Sequence, residues 1–590
     1  MKKREEIKDC YKWKTSDIYE SVADWEKGYE KLSSMSDLTR FQGKLADDKV
    51  LLEYLKASEE ATLLFGFLEV YAMMRKDEDS SRGEFVTLQY KINKLATEYS
   101  YKNSFAITEI NAFSDDKLNG LIKNPIFADY NRLFEQVLKE KPHTLSTEGE
   151  ELLALGGQVF SSFRQIFTML DNVDFPFPEV DYKGERVTVS HGMYGVLLKD
   201  TDRAVREKVF KEYYASYKSL LNVISTIYIS SVQKNVFLAK ARKYTSAMNR
   251  ALCGEEVSDK VYNTLLSSVE KALPIMHEYV AERKRVLGYE ELHMYDMYVS
   301  LVDDCGIERS YEQAFEMVKS GLAILGENYQ NLLQKAFDQG WIDVEENFGK
   351  RSGAYSVGVY GLKHPYVLLN YQKTVHDIFT IAHELGHALH THFSNENQPQ
   401  SKADYTIFVA EVASTVNEVL LLKSLLAKET DKKVRKYLLN YFLEMIRTTL
   451  FRQTMCAEFE YIAHTTAEKD SLSKDYLNEE YLKLNKKYYG DAVISDEEIS
   501  YEWARIPHFY SAFYVYKYAT GIISAITIAD KILNKEDGAV ENYLKFLSSG
   551  SSKTPVELLK IAGVDLETKE PYDKAMKVFK DTLEEFIGEN

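Results

Sequence analysis

The sequence predicts a mainly α fold with a small β component. Breakers are scarce, with 10 prolines and 28 glycines in 590 residues. Stretches such as EEATLLFGFLEVYAMMRK (59–76) repeat apolar residues at helical spacing. Two zones, 171–190 and 348–371, break that pattern with prolines, glycines and alternating apolar residues.

In chain order, the first 170 residues read as several long amphipathic helices. In TLSTEGEELLALGG (144–157), Ser146 or Thr147 can cap a helix whose first turn is acidic and which ends in glycines. DNVDFPFPEVDYKGERVTVS (171–190) carries two prolines, then apolar residues alternating around Lys183-Gly184. That is a β-hairpin pattern. It closes a predicted N-terminal helical lobe, residues 1–190, and a second region spans 191–590. Helices resume near Thr201. FGKRSGAYSVGVYGLKHPYVLLNY (348–371) predicts two short strands around a turn from Gly361 to Pro365. Helices fill the rest, with no internal repeat or low-complexity segment.

A chain of 590 residues exceeds one compact core and suits two or more lobes, or one large helical body. Hydrophobic residues at 45% and charged residues at 28% are ordinary for a soluble protein. The net charge of -17 argues against nucleic acid, because nothing would neutralise a phosphate backbone. It aids solubility and suits basic substrates. The four cysteines, Cys10, Cys253, Cys305 and Cys456, are far apart and form no CxxC pair. Neither a disulfide framework nor a cysteine zinc site is indicated, and a reducing compartment fits. The opening MKKREEIKDCYKWK lacks the apolar core of a secretory signal. No run of about 18 apolar residues predicts a membrane span. A cytoplasmic location, with no membrane partner, is the expectation.

IAHELGHALHTHF (381–393) sets histidines and a glutamate into an apolar helical pattern. His383 and His387 are four apart, so they share one helix face and can share one metal ion. Glu384 projects about 100° round the helix and reaches a coordinated water without being a ligand. Zn²⁺ takes such ligands, keeps an open position for catalysis and lowers the pKa of its water, while the glutamate takes the proton. A metal-free pair of histidines is the plain alternative. Apolar residues before the motif argue against it, because histidines and a glutamate buried on one turn are costly unless something binds them.

A third ligand is needed. Position 393 is Phe393, and His390 fits tetrahedral geometry poorly, so His390 reads as an outer or packing residue. The segment TIFVAEVASTVNEVLLLKSLL (406–426) offers Glu411 and Glu418, seven apart on one face of an apolar helix. One can ligate and the other can hold a histidine N–H.

HELGH followed by EVAS…NE resembles the thimet-type zinc oligopeptidases, in the oligoendopeptidase F branch. RKYTSAMNRAL (242–252), HMYDMYVSL (293–301), the Gly/Tyr strand zone and RIPHFYSAFYVYKYATG (505–521) extend the resemblance over most of the chain. The first 110 residues match only in character. The resemblance implies one Zn²⁺ per chain on His383, His387 and Glu411, with Glu384 as general base. It also implies a two-lobed helical metallopeptidase with a small sheet beside the active-site helix, a deep cleft and oligopeptide substrates. On it, region 191–590 is catalytic.

PHFYSAFYVYKYATG (507–521) holds His508 and places Tyr510, Tyr514 and Tyr518 every four residues, on one predicted helical face. Core packing is the common use of such a strip. Beside a zinc hydrolase it suits oxyanion stabilisation, at roughly 3 kcal/mol for each donor. The resemblance points to His508 and Tyr514 first and Tyr510 next, and leaves open which of Tyr516 and Tyr518 joins them. The strand zone, with Gly358 and Tyr360, suits backbone pairing with an extended peptide; alternatively it only braces the helix. An aminopeptidase would need acids that capture an N-terminal amine, and no GxMEN-like stretch occurs. A peptide-binding protein with a structural metal would have no use for Glu384.

Overall fold

The computed structural model describes residues 2–302, 306 and 308–589, so Cys305 lies outside the described residues. Helices dominate, as predicted. The helix α1 (Asp48–Glu78) starts where the Asp47 carboxylate accepts the N–H groups of Lys49 and Val50. The predicted hairpin forms from β1 (Glu179–Tyr182) and β2 (Glu185–Thr188), with Tyr182 opposite Glu185. Lys183 and Gly184 both take positive φ, +52° and +86°, as a two-residue turn between twisted strands requires. The helix α2 (Arg203–Ala241) is capped by Asp202.

The strand zone supplies two of the three strands of a small sheet. These strands are β3 (Ile342–Asp343), β4 (Tyr355–Val357) and β5 (Tyr366–Leu368), in the order β3-β5-β4. β3 lies just outside the predicted zone and pairs parallel to β5, while β4 pairs antiparallel. Four further helices matter here: α3 (Val375–Asn397), α4 (Ile407–Lys428), α5 (Arg452–Ala467) and α6 (Tyr516–Leu533). No described helix is long and apolar enough to cross a membrane.

Packing divides the chain into two compact units, each built from three stretches. One comprises Met1–Pro142, Gly306–Ala427 and Ile528–Val564; the other comprises His143–Cys305, Lys428–Thr527 and Asp565–Asn590. The hairpin and position 190 fall inside the second unit. A break in periodicity marks a change of element, whereas a unit is defined by which elements bury one another.

In the first unit the sheet packs on α1 through Val70, Met74, Tyr366 and Leu368, with Trp13 from the N-terminal stretch. That stretch is pinned by charge. Arg4 Nη1 lies 2.8 Å from Asp343 Oδ1, and its other nitrogen reaches Glu78 at 3.2 Å. Lys350 also meets the fully buried Asp343, at 2.7 Å. The Trp13 indole donates to Glu78 at 2.9 Å.

Candidate active site

The motif helix α3 begins with a capping box. Thr374 Oγ1 accepts the Asp377 N–H, and the Asp377 carboxylate accepts the Thr374 N–H at 2.8 Å. Ile378, Phe379, Ile381, Ala382, Leu385, Ala388 and Leu389 are buried and fix its orientation. Gly386 fits because α4 runs against it. A Cβ there would lie 2.6 Å from Ser414 Cα and 2.9 Å from the Ala413 carbonyl oxygen. Asn417 locks the same pair of helices, donating to the Ala382 carbonyl at 3.0 Å and accepting from Tyr329 at 2.9 Å.

This close packing brings Glu411 to the histidines. His383 Nε2 and His387 Nε2 are 3.2 Å apart, and Glu411 Oε2 lies 3.5 and 3.7 Å from them. All three ligand atoms lie within 4.8 Å of one another. Glu418 accepts from His383 Nδ1 at 2.6 Å, so Nε2 is left to face the cluster. Two imidazoles and one carboxylate are the donor set of a catalytic zinc site, which keeps a position open. The residues fit a divalent metal ion.

The same burial and charges shift the titration of these groups. Burial opposes charge on His383, but the Glu418 hydrogen bond and the nearby carboxylates outweigh it and raise the imidazole to about 9. Burial and His383 push His387 down to about 3. Glu384 is 7% exposed; burial raises its carboxyl to about 7, with His383 opposing and the other acids adding. His390 is buried and stacks on Tyr405 with ring centroids 3.7 Å apart, beside Phe546. It sits in an aromatic packing environment.

Strand β4 is the edge of the sheet. Val367 and Leu369 donate their N–H groups towards β3, to Trp341 and Asp343. Residues alternate in direction, so Tyr366 and Leu368 serve β4, and the Ser356 backbone turns off the free edge. The same Ser356 backbone bonds Glu384. Gly358 lies against α3, where a Cβ would be 2.9 Å from Thr391 Cγ2. Tyr360 is half-buried.

The tyrosine segment departs from the single helical face expected of it. Pro507–Tyr510 forms a short 3-10 turn, Phe513 takes a left-handed φ of +55°, and α6 begins only at Tyr516. The backbone turns between Tyr510 and Tyr514, so four-residue spacing no longer aligns them. Tyr510 is buried against Phe167, with stacked centroids 4.4 Å apart. His508, Tyr514 and Tyr518 do come together: the His508 ring lies 5.7 Å from Tyr514 and 5.8 Å from Tyr518. Tyr518 Oη is 3.3 Å from His508 Nε2. Tyr516 is buried against Tyr262, which separates it from Tyr518. Burial, with Arg164 and Arg452, lowers the pKa of His508.

Sequence reasoning missed Gly386 and Asn417 as the reason that the two helices meet. The glycine inside HELGH was the available signal, because a conformationally costly residue in a helix marks a close approach.

A sequence model of peptidase family M3 matches residues 196–578, and a model of oligopeptidase F matches residues 109–177. Oligopeptidase PepF of Bacillus subtilis is 40% identical over 587 residues, covering 99% of this chain and 88% of its own length. A crystal structure of a candidate peptidase from Chlamydophila abortus superposes with a TM-score of 0.94 at 33% identity, covering 100% of both chains. Oligoendopeptidase-F from Enterococcus faecium superposes with a TM-score of 0.75 at 34% identity, covering 96% of this chain and 99% of that one.

Proposed function

The chain belongs to peptidase family M3, whose oligopeptidase members hydrolyse peptide bonds of oligopeptides, and from that premise we propose a zinc-dependent endopeptidase acting within short peptides. The observation that carries this reading is the convergence of His383, His387 and Glu411 beside the buried Glu384. These three residues would hold one Zn²⁺. When bound, the ion supplies Lewis-acid polarisation of the scissile carbonyl and acidifies the attacking water.

Glu384 is the general base. Buried next to His383, it is placed to accept a proton and hand it to the leaving amine. Glu418 orients His383 through Nδ1. His508 and Tyr514 donate hydrogen bonds to the developing oxyanion, with Tyr518 beside them. The outward carbonyl of Ser356 on the edge strand, whose N–H is taken by Glu384, with Gly358 and Tyr360 following, suits an extended peptide read by its main chain. All of these residues lie in region 191–590. The scarcity of cysteines supports a cytoplasmic setting.

The test is Glu384→Gln, assayed for bound zinc and for turnover of an internally quenched peptide. Zinc content should stay at one per chain, while kcat falls by at least about 10²-fold, the scale of general-base loss. Loss of zinc would make Glu384 a ligand; a near-normal rate would remove its role as base.

A further inference from the structure

Phe513 stands in a conformation that bulky residues avoid, with φ at +55°. Such a residue persists only where its surroundings over-determine it, and strained positions of this kind cluster at functional sites. The Phe513 ring is 2% exposed, lying 5.6 Å from Tyr262 and 4.7 Å from His464 between centroids. Its N–H donates to Glu460 Oε1 at 2.6 Å. Glu460 stands on α5, fully buried, and its Oε2 has no partner among the described residues. The adjoining turn of α5 is fixed in its own right. His464 Nδ1 bonds the Glu460 carbonyl at 2.9 Å, and His464 Nε2 lies 3.1 Å from Asn235 Nδ2. A buried carboxyl therefore holds the backbone amide of the left-handed residue that immediately precedes Tyr514.

We propose that Glu460 is a positioning residue for the oxyanion side of the site: by accepting the Phe513 N–H it holds the left-handed turn that presents Tyr514 beside His508. The proposal rests on the reading of Tyr514 given above. Burial raises the Glu460 carboxyl to about 8, and both its neutral and charged forms offer Oε1 as an acceptor. Glutamine preserves that acceptor; methionine fills the space without it.

The test uses the full-length, zinc-loaded protein and an internally quenched oligopeptide. Glu460→Met and Glu460→Gln are each made alone and on Tyr514→Phe, with kcat, KM, bound zinc and hydrogen exchange at the Phe513 amide measured. Glu460→Met should lower kcat by about 10- to 100-fold, the cost of a small misplacement, with KM and zinc little changed. Exchange at Phe513 should accelerate. Glu460→Gln should restore most of the rate and the protection. On Tyr514→Phe, Glu460→Met should cost little more. An equal loss in both backgrounds, or a normal kcat in Glu460→Met, overturns the proposal. A normal rate in Tyr514→Phe alone would instead overturn the oxyanion reading. Should Glu460→Met fail to fold, Glu460→Asp, whose acceptor is one methylene short, takes its place under the same criteria.

Discussion

Two acids seven residues apart do different work around the same histidines. Glu411 Oε2 faces both Nε2 atoms, whereas Glu418 holds His383 from the far side of its ring at 2.6 Å. Glu411→Ala should therefore remove most zinc affinity, and Glu418→Ala should weaken it by about 10- to 100-fold, as outer partners do. Equilibrium dialysis against a zinc buffer ranks them, and the reverse order would make Glu418 the ligand. The tyrosines divide as sharply. Tyr514→Phe should lower kcat by roughly 100-fold with zinc retained. Tyr510→Phe and Tyr516→Phe should do far less, because those rings are packed against Phe167 and Tyr262. A crippling Tyr510→Phe would place its hydroxyl back in the chemistry. That His383 and His387 share a face was legible because its logic is local: four residues make one helical turn. The separation of Tyr510 from Tyr514 was not legible, because it depends on the φ of Phe513, which no spacing rule predicts.

Elements show the same split between local and tertiary causes. The hairpin at 179–188 follows from Lys183-Gly184 and its flanking alternation, all within one short stretch. The sheet beside the motif helix was only partly legible. β4 and β5 were expected, but β3 has two residues and is a strand only because β5 pairs with it. The meeting of α3 and α4 is likewise tertiary, and Gly386 tests it. Ala at this position sets a Cβ 2.6 Å from the Ser414 backbone, where no side chain can move aside. The helices must separate, at an overpacking cost of about 1–3 kcal/mol. Because His383 and His387 ride on one helix and Glu411 on the other, zinc affinity should fall together with stability. Melting and zinc dialysis of Gly386→Ala check both. Lost stability with unchanged zinc affinity would mean that the site tolerates a shift between its two helices.

At the scale of the whole molecule, each unit gathers three distant stretches, so chain order alone does not reveal which parts stand or fall together. In the first unit the N-terminal stretch offers a direct probe. Arg4 pairs with Asp343, whose side chain is fully buried on β3, in the sheet that also contains the edge strand. Burial alone would raise the Asp343 carboxyl, yet Arg4 and Lys350 together hold it below its ordinary value. A carboxyl depressed in the folded state stabilises above its unfolded pKa of about 3.9, and that stability is lost as pH falls below it. Arg4→Ala removes one of the two cations and leaves a buried carboxylate half-compensated. The expected cost is about 3 kcal/mol, at the low end for breaking a buried pair because Lys350 remains. The folded pKa of Asp343 should rise, so the stability difference between the two proteins should shrink as pH is lowered from 7 towards 3. Calorimetry of both proteins across that range, with Arg4→Lys as the charge-preserving comparison, reads the effect. A melting transition unmoved by Arg4→Ala at pH 7 would make the N-terminal stretch a passenger on the first unit rather than part of its core.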